Sequence, residues 1–514
     1  MNTAGALGRS AIAAVFVAAC AQSASSAPEE GAPTFGPGDA TSGDGFHAGS
    51  RLRARVQQAE GGATLFSGWT DTALEISCSF ALASDNVTRC LPLRGRGDTY
   101  ADPSCSQPVY ILRTWAPSCA YAPPTLIRDI AMEPCGAGRA VRRVEAKLAI
   151  GDYYQRDKTG ACTATGDLVP WAAYAVSDPI DPQTMLARTD STNEARGPHY
   201  FVNRISAEDG STELLTSPLD AERNQPCVAG PRDASGGLRC LPLSQAQDWT
   251  QRGVHTRFND AACTTPVATY FNLCTPPAIV VVRDTNQCHE SSTSYALPGL
   301  RLSSSVWQSP VFGGGSSSCV ASTQRNLDSI PEYGIGAPLD PTNFPALKTV
   351  DEGTARIRVR SLASDIGEKL TAIGFFDAAR NAMCSARRAA DGALRCFPNT
   401  GGLGYATLEY TDGSCTHAVA RGLRGCAMTT GFLVDDPESG VCHSASRTRY
   451  FSVGARVTEA VTGMYRRSAQ GCVAQGALAG DYYSATELPS SAFAPITFTG
   501  SYDAAAAADE TPLK

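Results

Sequence analysis

An all-β chain, built from three copies of a unit of about 150 residues, is the architecture this sequence points to. Eighteen of its 19 cysteines fall into three matching series of six. Short runs alternate apolar and polar residues between turn signals, the pattern of half-buried strands. The apolar spacing yields no convincing amphipathic helix longer than about two or three turns. Composition agrees: 43% apolar and 18% charged residues suffice for a sizeable core, and 48 Gly and 32 Pro spread along 514 residues exclude a coiled coil. A net charge of -7 without any Lys/Arg cluster argues against nucleic acid as a partner.

At the N-terminus Arg9 precedes the apolar run Ala11–Ala19. Nine residues span about 14 Å as a helix, short of the ~20 residues a membrane crossing needs, so residues 1–19 read as a signal peptide. Val17-Ala18-Ala19-Cys20 resembles the bacterial lipobox, which implies diacylation of Cys20 and a mature N-terminus there. Ordinary secretion, with cleavage after Ala21 or Ala27, is the alternative. Ala21 is not the aspartate that retains enterobacterial lipoproteins in the inner membrane, which favours an outer-membrane destination. Residues 20–49 are rich in Ala, Ser, Gly and Pro and read as a flexible tether, and residues 501–514 as a disordered tail.

The six-cysteine series are Cys78, Cys90, Cys105, Cys119, Cys135, Cys162; Cys227, Cys240, Cys263, Cys274, Cys288, Cys319; and Cys384, Cys396, Cys415, Cys426, Cys442, Cys472. Their surroundings agree. Second cysteines follow Arg89, Arg239 and Arg395; third cysteines stand three residues after Asp102, Asp260 and Asp412; and Asp71, Asp220 and Asp377 stand seven before the first cysteines. Units of 50–197, 198–353 and 354–500 follow. In an exported chain the series reads as a disulfide framework, with Cys20 left over for the lipid. Zinc is disfavoured, because no Cys-x2-Cys spacing occurs and no histidine recurs in all three units. Six cysteines allow 15 connectivities; locality suggests first with second, third with fourth and fifth with sixth.

Runs such as Leu52–Val56, Arg356–Arg360, Val109–Leu112 and Ala278–Val282 read as strands. Asp85-Asn86, Ser235-Gly236 and Asp391-Gly392 suit tight hairpin turns between first and second cysteines. Within a unit, Gly374 ten residues before Cys384 is echoed by Gly463 before Cys472. Each unit is thus expected to be a doublet of four-stranded modules, and the whole a six-bladed β-propeller, with three tandem β-domains as the alternative. Pairing of residues near 50–60 with those near 490–500 would close such a ring.

No His-Glu-x-x-His, Gly-x-Ser-x-Gly or phosphate-loop motif is present, and no Ca²⁺-loop pattern calls for a metal or cofactor. Arg89, Arg239, Arg395 with Asp102, Asp260, Asp412 could ring an anionic ligand. Their recurrence in every unit favours a structural role, as pairs that fix a strand or as carboxylates capping turns. Trp115, Trp171 and Trp249 lie in stretches that differ between units and are candidates for a saccharide platform, whereas Trp69 reads as core.

The lipobox, the tether and the repeated Arg-Cys-Leu-Pro and Tyr-x-Asp-x-x-Cys motifs resemble uncharacterised cysteine-rich repeat surface lipoproteins of the kind found in myxobacteria. That resemblance implies location and repeat architecture, and no activity. The expectation is a binding or interaction module, at the outer membrane or outside the cell. Its partners would be the membrane, through the lipid, and carbohydrate or another surface protein. A polysaccharide hydrolase or lyase with paired carboxylates, and a structural envelope protein, are the alternatives.

Overall fold

A computed structural model describes residues 45–499, apart from 114–122, 130–137, 157–160, 168–170, 231–236, 244, 249–256, 263–264, 270–276, 287–288, 303–306, 309–319, 322–331, 400–406, 423–430, 437–446, 458–462, 469–470 and 476–480. The chain is all-β; among the described residues the only helices are short 3-10 turns. Four blades of a propeller-like arrangement are recognisable.

The first half of each unit is an antiparallel meander. One comprises Leu52–Ala59, Thr64–Asp71, Ile76–Leu82 and Thr88–Pro92. A second runs from Tyr200–Ala207 through Thr212–Leu214, Leu219–Asp220 and Gln225–Ala229 to Leu238–Pro242. The third comprises Ile357–Ser364, Lys369–Asp377, Ala382–Arg388 and Leu394–Pro398. Turn chemistry sets their registers. Asp71, Asp220 and Asp377 each accept backbone N–H bonds from the next residues of the turn. Four residues after each aspartate the chain turns left-handed, at Glu75, Asn224 and Asn381. Asn86 (φ 62°) and Gly392 (φ 86°) supply the hairpin turns read from the sequence, while Ser235-Gly236 lies outside the described residues.

In all three meanders the first cysteine faces the proline two residues beyond the second: Cys78 opposite Pro92, Cys227 opposite Pro242, Cys384 opposite Pro398. The two cysteines are therefore diagonal neighbours and bond as Cys78–Cys90, Cys227–Cys240 and Cys384–Cys396.

Three connecting strands join the meanders. The chain at Ala187 bridges Arg89, and Arg188–Ala195 then pairs with Tyr200–Ala207. Ala346–Glu352 touches Leu238–Pro242 at its start and pairs with Ile357–Ser364. Pro495 bridges Arg395, after which Ile496–Thr499 pairs with Leu52–Ala59. The last strand thus returns to the first, with Val56 opposite Thr499 and Ala59 opposite Ile496, and the hydrogen-bonded circuit closes. The cores cross unit boundaries too. Ala59 packs with Ile357, Phe375 and Ile496, and Tyr200 and Val202 pack with Leu362 and Leu370. Separate domains on a string would not share cores in this way.

Among the described residues the second halves form other sheets, so that four blades are recognised where six were expected. In the second unit Gln245–Asp248, Val267–Thr269, Glu332–Leu339, His289–Arg301 and Ile279–Asn286 close into a five-stranded barrel. In the first unit Gly95–Arg96, Leu126–Asp129, Val141–Leu148, Trp171–Val176 and Val109–Arg113 form a five-stranded sheet, and the third unit has a seven-stranded one. Paired edges or closure satisfy these strands without blade geometry.

Connectivity differs from locality as well: Cys105 bonds Cys162 and Cys415 bonds Cys472, third with sixth. Sheet pairing overrides sequence distance here. The hairpin Asp152–Arg156/Cys162–Asp167 pairs with Thr99–Tyr100, which carries Cys162 to Cys105 across 57 residues. Cys119, Cys135, Cys263, Cys274, Cys288, Cys319, Cys426 and Cys442 lie outside the described residues, as does Cys20. Non-reducing peptide mapping should recover the five bonds above. By elimination it should also find Cys119 with Cys135 and Cys426 with Cys442. A Cys105–Cys119 peptide would contradict this framework.

Candidate functional site

The recurring arginines are turned toward the chain itself. Arg89 is buried in the fourth strand of its meander; its Nε donates to Asp85 Oδ2 at 2.9 Å and its Nη1 to the Met185 carbonyl at 2.9 Å. Arg395 repeats this with Asp391 (3.0 Å) and the Phe493 carbonyl (2.9 Å), and Arg239 Nη1 reaches the Phe344 carbonyl at 3.3 Å. Met185, Phe344 and Phe493 are themselves buried, each directly after a 3-10 turn: Pro182–Thr184, Pro341–Asn343 and Ser490–Ala492. The next residue of each connector accepts from the cysteine amide beside the arginine, Cys90 N to Leu186 O, Cys240 N to Pro345 O and Cys396 N to Ala494 O. These guanidinia are engaged by main-chain carbonyls of the connectors.

The recurring aspartates cap turns. Asp102 accepts from the amides of Ser106 (2.8 Å) and Gln107 (3.2 Å), Asp260 from Ala262 (2.9 Å) and Thr265 (2.6 Å), and Asp412 from Ser414, Thr416 and His417. Hydrogen bonds from Ser106 hold the Asp102 carboxyl below the usual carboxylate range, and those from Ser414 and His417 do the same for Asp412. The turn forces Cys105 (φ 52°) and Cys415 (φ 53°) into the left-handed region. Arg156 then donates to the Cys105 carbonyl and Arg467 to that of Cys415, each guanidinium lying over Tyr100 or Tyr410. Among the described residues no group of three or more histidines, cysteines and acids is placed to hold a metal ion.

A second set of charges was visible in the sequence only as spacing. Asp71, Asp220 and Asp377 are almost wholly enclosed. Arg51 binds Asp71 through Nε and Nη2 at 2.8 and 2.7 Å, Arg356 binds Asp377 at 3.1 and 2.8 Å, and Arg223 binds Asp220 at 2.7 Å. Each arginine also donates to the last carbonyl of a 3-10 turn, that of Thr184, Ala492 or Asn343. In the second unit His199 stands at the position of Arg51 and Arg356, since its carbonyl accepts from Ala221 as theirs do from Thr72 and Ala378. Arg223, three residues beyond the aspartate, takes over the pairing.

A further carboxyl is met by an indole in place of an arginine. Glu213, in Thr212–Leu214, accepts from the indole N–H of buried Trp69 on the first meander. Phe66 packs edge-on to Trp69 and stacks with Phe46, whose strand pairs with Glu213. Burial pushes the Glu213 carboxyl up to about 7, against 4.5 in water, with the Trp69 bond opposing. Of the three tryptophans read as a platform, Trp171 lies in the strand Trp171–Val176 opposite Arg113, and Trp115 and Trp249 lie outside the described residues.

A model of a family of unknown function (DUF7481) matches residues 137–437, more than half of the chain. No curated protein and no solved structure matches it.

Two outcomes follow from the charges. Asp377→Ala removes the acceptor of Arg356 and of the turn amide of Ala379, and should cost about 2–4 kcal/mol in urea unfolding; Arg380→Ala, which leaves that carboxylate paired with Arg356 but loses a bond to the Ala492 carbonyl at 3.0 Å and the contact with the Phe493 ring, should cost less, about 1–2 kcal/mol. For Glu213 the folded chain binds its proton more tightly than the unfolded one. Its contribution is therefore full below pH 4.5 and is lost as pH rises through about 7. Unfolding midpoints measured at about pH 5 and pH 8 should differ less in Glu213→Gln than in wild type, by on the order of 2 kcal/mol.

Proposed function

The chain belongs to this family of unknown function, and from that premise we propose that it is an exported cell-surface binding module. In this reading the signal peptide is removed, Cys20 carries the lipid that anchors the protein to the outer membrane, and the closed assembly of meanders presents its outer loops to carbohydrate or to another surface protein. The disulfides support export, because such bonds persist in oxidising compartments.

The observation that carries binding over catalysis is the fate of the carboxylates. Asp71, Asp220 and Asp377 come from three different units, as a glycoside-cleaving pair from separate modules would, yet each is enclosed and bound to arginine. A carboxylate locked in this way is a poor general acid or base, since its lone pairs are occupied by arginine and by the amides of its own turn. Glu213 has a suitably raised proton affinity, but its carboxyl faces an indole that is itself buried. Those features favour recognition.

A glycan array, run beside an assay of reducing-sugar release on the polysaccharides it selects, tests the reading. Retention of a defined class of glycan without release is expected. Release of reducing ends by wild type and not by Glu213→Gln would replace the proposal with a hydrolase. Metabolic labelling with a fatty acid should be abolished by Cys20→Ala; label retained in that variant would remove the anchor from the proposal.

A further inference from the structure

Two arginines beside the first meander have no carboxylate partner among the described residues. Arg128 ends the inward-facing row of Leu126–Asp129, where it stands opposite Val141. Arg139 lies two residues before Val141, so extended backbone sends both side chains from the same face. That face packs against the first meander: Leu126 and Val141 share a core with Leu91 and Cys90, and Arg139 bridges Ala83. The meander presents serines there. Arg128 Nη1 is 3.5 Å from Ser79 Oγ, the outer limit of a hydrogen bond, and Arg128 Nε is buried with no partner. Ser77 Oγ, two residues back on the same face of Ile76–Leu82, is also buried with no partner. The adjacent carboxylate, Asp129, is taken by Arg96 and Arg142 at 2.9 Å each.

This arrangement is costly as it stands. A largely enclosed guanidinium without a counter-charge forfeits its hydration, and a second cation on the same face adds repulsion. The strain is legible in Arg128 itself, whose proton affinity is lowered to about 10, first by burial and then by the charge of Arg139. Elsewhere enclosed charges are neutralised inside the chain: Asp71, Asp220 and Asp377 by arginine, Arg89 and Arg395 by Asp85 and Asp391. Here the donors are assembled, and among the described residues no carboxylate meets them. Guanidinia suit oxyanions, which take parallel N–H bonds, and serine hydroxyls supply further donors.

We propose that Arg128 and Arg139, with Ser79, bind a tetrahedral oxyanion: the phosphate or sulfate group of a surface glycan or of a lipid headgroup. The site deepens the reading of the chain as a surface binding module and relies on it only for the source of the anion. The test uses the full mature chain, titrated with inorganic phosphate against chloride at matched ionic strength and followed by thermal unfolding and calorimetry. Saturable stabilisation by phosphate is expected in wild type. Arg139→Gln, at a partly exposed position, should weaken it at least about tenfold, and Arg128→Met, which keeps the packing of the stem, should abolish it. Where Arg128→Met fails to fold, Arg139→Gln decides. Competition by dextran sulfate assigns the anion to a glycan, and competition by phosphatidylglycerol vesicles assigns it to a lipid. Stabilisation no greater with phosphate than with chloride, or equal in wild type and Arg139→Gln, overturns the site. A blank glycan array alongside saturable phosphate binding would sink the glycan-binding reading and leave the site standing.

Discussion

A carboxylate removed from water must be met by positive charge and by N–H donors, and meeting that demand three times places the connecting strands of this molecule. Asp71, Asp220 and Asp377 close the turn that leads into the strand of each meander's first cysteine and are enclosed there. The arginine that neutralises each one has a donor to spare, which goes to the last carbonyl of a 3-10 turn. One residue further on, the carbonyl of Met185, Phe344 or Phe493 is taken by Arg89, Arg239 or Arg395. Two successive carbonyls are thus gripped by two arginines of one meander, and the strand that leaves the grip becomes the edge partner of the next.

Apolar burial could not make that choice alone. Met185, Phe344 and Phe493 bury large side chains, but the hydrophobic effect is non-directional and would accept a connector shifted along the sheet. A slip of one residue turns every side chain of a strand to its other face. Arginine bonds to named carbonyls remove that freedom. The closing strand needs it most, because Ile496–Thr499 must find Leu52–Ala59 across nearly the whole chain. The short disulfides act elsewhere, stapling the third and fourth strands of one meander, and leave the order of the meanders to the clasps.

How much of this could be read from residues alone depends on whether the information is local. The strands, the Asp-Asn and Asp-Gly turns and the first–second disulfides are local, and the spacing of Cys78 and Cys90 or of Cys384 and Cys396 carried them. The capping role of Asp102, Asp260 and Asp412 is local too, since it needs only amides two to five residues ahead. The Cys105–Cys162 and Cys415–Cys472 bonds depend on a hairpin folding back onto a two-residue strand, which no spacing encodes. The same holds for the second halves, one of which closes into a barrel while the other two form five- and seven-stranded sheets. Asp71, Asp220 and Asp377 were visible as a period, yet their partners were hidden. Arg51 and Arg356 lie about twenty residues upstream, whereas Arg223 lies three residues downstream where His199 has replaced the usual arginine. A charge pair conserved in space and relocated in sequence leaves no motif.

That relocation separates what builds the molecule from what is left for it to do. Where a contact is required by the fold, the chain preserves the contact and lets the residue supplying it change, as Arg223 shows. Charged groups that meet no opposite charge among the described residues are under no such requirement. Glu213 against Trp69 and Arg128 beside Arg139 are of this kind, and both lie where the first meander meets other elements. Each costs the fold something, through a carboxyl kept from ionising at one and a cation kept from water at the other. Glu213 settles its cost internally, by taking up a proton and the indole N–H. An arginine has no neutral state within reach of ordinary pH, and among the described residues no carboxylate meets Arg128, which is the ground on which an anion is proposed there.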